Sequence, residues 1–137
     1  MIYSIGYHRL TPADLAHVAR ELAATVIDCR SRPSGRVKRG FSRADLEALL
    51  PGCYEWRGDV LGGHPPGVQP AGLDALAAGP RRLLLLCQEE RPSDCHRHTR
   101  IAVPLAALGV PVRHLYREEI FHACELQRAI EAGEATY

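Results

Sequence analysis

The chain has 137 residues, a length that suits one domain around a single hydrophobic core. Of these residues 46% are hydrophobic and 24% are charged, a composition that excludes a chain too polar to fold. The formal net charge of +1 means that overall charge does not favour nucleic-acid binding, although a local basic patch is still compatible with it.

The cysteine content and the N-terminus favour a reducing compartment. The five cysteines are Cys29, Cys53, Cys87, Cys95 and Cys124. Their number is odd, and no signal peptide precedes the first predicted strand. The longest apolar run is far too short to cross a bilayer. We therefore expect a cytoplasmic protein with free thiols and no membrane partner, forming a single domain over residues 1–137.

The first predicted elements are a strand, a helix and a second strand. Residues 2–5 form a short apolar run that indicates a buried strand. Thr11 followed by Pro12 is typical of a helix N-terminus, because Thr caps and Pro fits the first turn. Residues 25–27 then predict a second strand.

The middle of the chain is richer in loops. A basic loop over residues 31–41 leads to a helix capped by Ser42, and residues 53–56 predict a short strand. Residues 61–67 contain too many Gly and Pro residues for regular structure. A short helix is expected near residues 73–78.

The last part of the chain contains the clearest strand, over residues 83–86, whose unbroken apolar character indicates burial on both faces. A helix over residues 95–108 follows, with a kink or break expected at Pro104. Residues 110–115 predict a strand and residues 118–132 a final helix. This alternation predicts an α/β domain of three layers, with a mostly parallel sheet of about five strands and helices on both faces.

Polar side chains follow several of these strands. Asp28 and Arg30 follow the second strand, Glu89 follows the strand over residues 83–86, and Cys95–Arg97 begin the next helix. In parallel α/β sheets, ligands bind beyond the C-terminal ends of the strands. We therefore expect these residues to meet in one pocket.

Asp28 and Arg30 lie two residues apart and therefore share one face of a strand. Arg30 has the charge to bind an anion, while Asp28 is a candidate to orient that anion or to carry a proton. Glu89 is the other candidate for general acid or base. A structural ion pair is the competing interpretation of Asp28 and Arg30.

Cys95 and His96 are the candidate nucleophile and its base. Backbone N–H groups and the helix dipole at a helix N-terminus favour a thiolate or a bound anion. His96 or His98 would accept the thiol proton, and Arg97 would bind phosphate together with Arg30. The competing interpretation makes Cys95 a small buried hydrophobic residue and gives His96 and Arg97 a capping role.

The same segment is dense in residues that can bind a metal ion. These are Cys87, Cys95, His96 and His98. Their spacing matches no paired-ligand zinc motif, and a second half-site is missing. The sequence therefore predicts no metal and no other cofactor.

The loop around residues 30–43 is a candidate binding surface. Its basic residues are Arg30, Arg32, Arg36, Lys38, Arg39 and Arg43. Contact with a phosphate backbone and simple exposure to solvent are both consistent with this charge. Phe41 is expected either to stack on a base or to anchor the loop to the core. Gly62 and Gly63 either let a ligand approach the backbone or only form a turn.

Six segments can be read together as one ordered pattern. They are Tyr3-Ser4-Ile5-Gly6, Ile27-Asp28-Cys29-Arg30-Ser31-Arg32-Pro33, Phe41, Leu61-Gly62-Gly63, Leu86-Cys87-Gln88-Glu89 and Cys95-His96-Arg97. In this order they resemble the domain-of-unknown-function family 488 over nearly the whole chain. The resemblance implies an α/β fold and the position of the site, and the label "DNA-repair-like" given to some members points toward nucleic acid.

The chain departs from that family at two positions. Tyr7 stands where the family usually has His, with His8 one residue later, so neither is assigned a catalytic role. Cys29 replaces the family's usual Val, which is a small change.

The second strand and Cys87 also resemble a rhodanese domain, in which a thiolate follows a strand within a loop of backbone N–H groups. Here Cys87 is followed by Gln88–Glu90, whose carboxylates would repel an anionic substrate and raise the pKa of the thiol. Cys95–Arg100 has a comparable loop length, but it lies too far beyond the strand and does not match the Cys-x5-Arg loop of phosphatases. A sulfurtransferase is therefore the lesser alternative.

The leading hypothesis is an enzyme that acts on a phosphate-bearing substrate, either a nucleotide or a nucleic acid. The expected substrate-binding residues are Arg30, Phe41, Gly62, Gly63 and Arg97. The expected catalytic residues are Asp28, Glu89, Cys95 and His96. The alternative is a binding module without turnover that holds nucleic acid or a protein through the basic loop and Phe41.

Overall fold

The computed structural model describes residues 1–36, 38–79, 81–89 and 95–116. Its strands are β1 (Ile2–Gly6), β2 (Thr25–Asp28), β3 (Tyr54–Trp56), β4 (Leu83–Cys87) and β5 (Val112–His114). Within the described ranges these five strands form one sheet in the order β3-β2-β4-β1-β5, and every neighbouring pair is parallel. The predicted α/β class and parallel sheet are confirmed.

The central strand β4 pairs with β1 on one side and with β2 on the other. Gly6 lies opposite Cys87, and Asp28 lies opposite Leu86, so the three strands end at nearly the same level. All residues of β4 are buried, as its unbroken apolar run predicted. The chain segments that leave β1, β2 and β4 therefore begin side by side at one edge of the sheet.

Helices cover both faces of the sheet. They are α1 (Pro12–Leu22), α2 (Arg43–Leu49), α3 (Gly58–Leu61), α4 (Pro70–Ala78), a π-helix (Arg97–Ala102) and α5 (Val103–Ala107). The predicted cap of α1 is present, because Thr11 Oγ1 accepts a hydrogen bond from the Asp14 amide at 3.1 Å. None of the helices that the structure describes has the length and apolar character needed to span a membrane.

Two apolar clusters fill the space between the sheet and the helices. Val26 and Leu84 face the cluster that also holds Leu15 of α1 and Leu46 of α2. Ile27 and Leu85 face the opposite cluster, built on α3, α4 and α5. Successive strand residues point to opposite faces, so this alternation explains why both faces need helices and why the domain has three layers.

The structure differs from the sequence prediction at three helices. The short α3 precedes the predicted loop over 61–67, and α4 begins at Pro70, three residues before its predicted start. The predicted helix over 95–108 is a π-helix that continues directly into α5. Pro104 lies in the first turn of α5, at the junction where the π-helix gives way to an α-helix. The predicted helix over 118–132 lies outside the described residues.

Candidate functional site

A polar cavity of about 250 Å³ opens at the edge where β1, β2 and β4 end. Its walls come from the segments after these strands, from the loop after α3 and from the start of the π-helix. The lining residues are Tyr7, Arg30, Ser31, Arg32, Ser34, Gly63, His64, Cys87, Gln88, Glu89, Cys95 and His96. Five of the predicted site residues therefore share one cavity, namely Arg30, Gly63, Glu89, Cys95 and His96.

Asp28 lies beneath this cavity and does not line it. Its side chain is fully buried at the end of β2, where Arg30 donates from Nε to Oδ1 at 2.9 Å and from Nη2 to Oδ2 at 2.8 Å. The Tyr54 hydroxyl donates to the same carboxylate. Asp28 is thus surrounded by donors from the protein and makes an ion pair that holds Arg30.

Arg30 is a permanent cation in the cavity wall. Burial by itself would lower the pKa of Arg30, but the hydrogen bonds and charge of Asp28 outweigh burial and raise it. The guanidinium also lies over the Tyr7 ring, 5.0 Å from its centroid. Arg30 Nη1 has no hydrogen-bond partner among the described residues. Nη1 is itself buried, so this nitrogen retains unused donor capacity inside the protein.

Phe41 anchors the basic loop to the core. Its ring is fully buried and stacks on Tyr7 at 4.5 Å between centroids. Tyr7 therefore covers the face of the Phe41 ring on which a nucleic-acid base was expected to stack. Phe41 therefore anchors the loop, which is one of its two predicted roles. The same contact supports the Tyr7 ring on which the Arg30 guanidinium lies.

Cys87, Cys95 and His96 converge at the floor of the cavity. His96 Nδ1 lies 3.8 Å from the sulfur of Cys87 and 3.8 Å from that of Cys95. His96 Nε2 lies 2.8 Å from the Leu61 carbonyl oxygen and 3.2 Å from that of Cys29. Because carbonyl oxygens only accept, Nε2 must be the protonated nitrogen, and Nδ1 faces the two thiols.

The environment of Cys95 favours a thiolate. The Cys87 thiol makes the largest contribution, and His96 and the Arg97 backbone N–H add to it, so that the pKa of Cys95 is lowered to about 4. The Arg97 N–H donates to Cys95 Sγ at 3.5 Å. The pKa of Cys87 is raised, because its thiol donates a hydrogen bond to Cys95 and because it is buried. Cys95 is therefore the anionic partner of the pair and Cys87 the protonated one.

His96 gains affinity for a proton from the same arrangement. Burial opposes its charged form, but the contacts with Cys95 and with the Leu61 and Cys29 carbonyls outweigh burial and raise the pKa of His96. The imidazole is consequently suited to stabilise the Cys95 thiolate.

Arg97 lies inside the protein and does not line the cavity. It is fully buried, and it donates from Nε to Ser4 Oγ at 3.2 Å and from Nη1 to the Glu89 carbonyl oxygen. Arg97 therefore has no exposed surface with which to make the predicted contact with phosphate. The arginine instead holds the backbone of Glu89, a residue that lines the cavity.

Gly62 and Gly63 bring the loop after α3 close to other parts of the protein. A Cβ atom at Gly62 would lie 2.1 Å from Ser31 Oγ, and one at Gly63 would lie 3.1 Å from Cγ and Nδ1 of His96. Only Gly63 lines the cavity. The backbone at these glycines thus lies close to Ser31 and His96, where the sequence predicted either the approach of a ligand or a turn.

Sequence reasoning did not identify Ser4, Tyr54 or Arg32 as parts of the site. A signal existed for Ser4, which is a polar residue within the apolar run of β1 and is fully buried. Tyr54 contacts Asp28 only because β3 pairs with β2, a register that no local pattern reveals. Arg32 was considered only as one charge among several in the basic loop.

Comparisons with protein-family models, with curated proteins and with solved structures found no match to this chain. The resemblance to family 488 therefore stays a prediction.

Proposed function

We propose that this chain is a member of the domain-of-unknown-function family 488 and an enzyme that acts on a phosphate-bearing substrate, with Cys95 as its nucleophile. The observation that carries the proposal is the position of Cys95 in the cavity wall, in contact with His96 and with a backbone N–H, where Arg30 also lies. A stabilised thiolate beside a fixed cation is the pairing that transfer of an anionic group requires.

Two cations supply the attraction for phosphate. Arg30 is held rigidly by Asp28 and Tyr7, which fixes its position before a ligand arrives. Arg32 lines the same cavity on the exposed part of the loop and makes no ion pair with the described residues. Guanidinium groups match the geometry of phosphate oxygens and remain charged at any physiological pH.

The size of the cavity limits the substrate. A volume of about 250 Å³ is below the range of roughly 300–1,000 Å³ that is usual for pockets that enclose whole ligands. A phosphate group and a few further atoms would fill it, while the remainder of a nucleotide or polynucleotide would lie outside. We expect the exposed Arg36 and Arg39 of the basic loop to contact that outer part.

The proposed reaction proceeds in two displacements. Cys95 Sγ attacks phosphorus, the bond from phosphorus to the ester oxygen breaks, and that oxygen leaves with the electron pair and takes a proton. Glu89 is the carboxyl group of the cavity wall that is available to pass on this proton. Water then attacks phosphorus and gives a proton back to the Glu89 carboxylate, and the sulfur leaves as the thiolate, so that inorganic phosphate is released and Cys95 and Glu89 are both regenerated.

The test measures phosphate release and the covalent intermediate with metal-free, reduced protein. Nucleoside monophosphates, a short oligonucleotide and p-nitrophenyl phosphate serve as probes. Acid-quenched samples are digested, and the masses of the peptides are measured by mass spectrometry. We expect a phosphoryl group on the Cys95 peptide, lost in Cys95→Ser and retained in Cys53→Ser, whose exposed thiol lies outside the cavity. Absence of both phosphate release and the adduct with every probe would overturn the proposal.

A binding module is the second candidate, and the exposed guanidinium groups of Arg32, Arg36 and Arg39 are the observation that favours it. Binding of a fluorescent single-stranded oligonucleotide that weakens steeply with added salt, without any product, would support it over the enzyme. The four described cysteines, all free, agree with the cytoplasmic location that we propose for either function. The raised pKa of Cys87 does not favour the sulfurtransferase alternative at that residue.

A further inference from the structure

We propose that Cys87 Sγ, Cys95 Sγ and His96 Nδ1 form a binding site for one thiophilic divalent metal ion, with zinc as the best match. The three ligand atoms lie within 4.8 Å of one another. This site does not depend on the phosphate chemistry proposed above.

The distances suit a tetrahedral ion. Zinc binds thiolate sulfur at about 2.3 Å and imidazole nitrogen at about 2.0–2.1 Å, so the two atoms stand about 3.6 Å apart at a tetrahedral angle. In the structure each sulfur lies 3.8 Å from His96 Nδ1. Side-chain adjustments of a few tenths of an ångström would therefore bring each sulfur and the nitrogen to the separation that coordination requires.

The orientation of His96 is a second, independent observation. A metal-bound histidine usually donates its other ring N–H to a carbonyl or carboxylate, which fixes the tautomer and directs the free lone pair toward the metal. His96 Nε2 has this arrangement, with the Leu61 and Cys29 carbonyl oxygens at 2.8 and 3.2 Å. Backbone groups of two separate segments thus fix the ring so that Nδ1 faces both sulfurs.

The fourth coordination position would be open to the cavity. All three ligand residues line it, so an ion has a route in from solvent and a water molecule or substrate atom has room to complete the tetrahedron. Metal binding would release the proton of Cys87, and the two resulting thiolates would neutralise the charge of a divalent ion. Their softness selects zinc, or cobalt as its spectroscopic substitute, over calcium and magnesium, which prefer oxygen ligands.

This inference changes the sequence prediction that no metal binds here. Sequence spacing reveals only paired-ligand motifs, whereas these ligands come from the end of β4 and the start of the π-helix and meet only in the fold. His98, which the sequence grouped with them, lies elsewhere, with Nδ1 3.1 Å from His114 Nε2. A bound ion would occupy Cys95 Sγ, so metal binding and nucleophilic attack exclude each other at any one time.

The test titrates Co²⁺ into the full chain, kept reduced by a phosphine that does not bind cobalt. We expect thiolate-to-cobalt charge-transfer absorption that saturates at one equivalent and is displaced by Zn²⁺. Because removing a second-shell partner already weakens a site by roughly 10–100-fold, Cys87→Ser and His96→Gln should each weaken binding by at least about 100-fold. Cys53→Ser, the matched control, should bind as the unmodified chain does.

A second measurement protects the test against variants that fail to fold. Zn²⁺ should slow maleimide labelling of Cys87 and Cys95 in the unmodified chain, while labelling of the exposed Cys53 continues at the same rate. Absence of cobalt absorption, or equal labelling of Cys87 and Cys95 with and without zinc, would overturn the metal site. Neither readout uses a phosphate ester, so failure here is distinct from failure of the proposed function.

Discussion

Arg30 and Asp28 form a bidentate ion pair at the end of β2, with both hydrogen bonds at or below 2.9 Å. The carboxylate is fully buried and its Oδ2 also accepts from Tyr54, so its role is to hold Arg30 in the cavity wall. This arrangement agrees with the structural interpretation of the pair and leaves Arg30 as the member that faces a ligand. It also makes the fold depend on Asp28.

We expect Asp28→Asn to lower the free energy of unfolding by about 3–5 kcal/mol, because it leaves a buried guanidinium without its counter-charge. Urea denaturation followed by circular dichroism measures the change. Tyr54→Phe removes one hydrogen bond and keeps the ion pair, so its cost should be only about 0.5–1.5 kcal/mol. Equal effects of the two substitutions would contradict the proposed role of the ion pair.

The lowered pKa of Cys95 has a direct chemical consequence. Since that pKa is about 4, Cys95 is already a thiolate at neutral pH, and its alkylation by iodoacetamide should change little between about pH 6 and 9. A thiol with the ordinary pKa of about 8.5 would react about ten times more slowly for each pH unit below that value. Mass spectrometry of the Cys95 peptide at a series of pH values measures the rate.

The control for this prediction is Cys87→Ala. It removes the neighbouring thiol that contributes most to the low pKa of Cys95, so the rise in alkylation rate should move to higher pH. A rate for unmodified Cys95 that climbs tenfold per unit through neutral pH would mean that the thiol is protonated in the folded protein.

The sequence predicted those parts of the fold that local patterns determine. Thr11 and Pro12 marked the start of α1 correctly because capping is a local hydrogen-bond pattern, and the apolar run of β4 revealed its burial. The four-residue α3 is too short to show a helical period. The π-helix was read as an ordinary α-helix, since its hydrogen-bond spacing leaves no distinct trace in the sequence.

The site was predictable to the extent that it follows from the ends of parallel strands. Arg30, Glu89 and Cys95 share a cavity because β2 and β4 are neighbours, an arrangement that the α/β pattern implies. The burial of Arg97 was not predictable, because arginine is normally exposed and its partner Ser4 is more than ninety residues away in sequence. Long-range polar contacts of this kind decide which charged residues reach the ligand.

Burial of Arg97 leads to a prediction about stability. Replacing Arg97 by Met should lower the free energy of unfolding by about 2–5 kcal/mol, because Ser4 Oγ and the Glu89 carbonyl would each lose a charged donor. Arg32→Met, at an exposed position, should change stability by no more than about 0.5 kcal/mol. Thermal or urea denaturation distinguishes them, and a fully stable Arg97→Met variant would show that the buried contacts contribute little.

His114 should make stability depend on pH. Burial, the charge of Arg97 and the proximity of His98 together lower the pKa of His114 to about 4, against about 6.5 in an unfolded chain. Between these two values the unfolded chain binds a proton that the folded chain does not, so the free energy of unfolding falls as pH drops from about 6.5 to about 4. Below about 4 this contribution becomes constant.

The measurement compares the unmodified chain with His114→Asn across that pH range, since other titrating groups contribute equally to both. The difference in free energy of unfolding should change between about pH 6.5 and 4 and stay level above that window. A difference that is the same at every pH would show that His114 titrates alike in the folded and unfolded states.

Gly63 tests whether the exact position of His96 matters to the site. An alanine Cβ at Gly63 would lie 3.1 Å from Cγ and Nδ1 of His96, closer than ordinary van der Waals contact, so the ring must move by a few tenths of an ångström, which changes its contacts with the two sulfurs. We expect Gly63→Ala to move the alkylation profile of Cys95 to higher pH and to weaken Co²⁺ binding. Gly35→Ala is the matched control, since its nearest neighbour would be 3.9 Å away. If both variants behave like the unmodified chain, contact between His96 and the thiols is not what stabilises the Cys95 anion, and the backbone N–H of Arg97 and the Cys87 thiol must suffice.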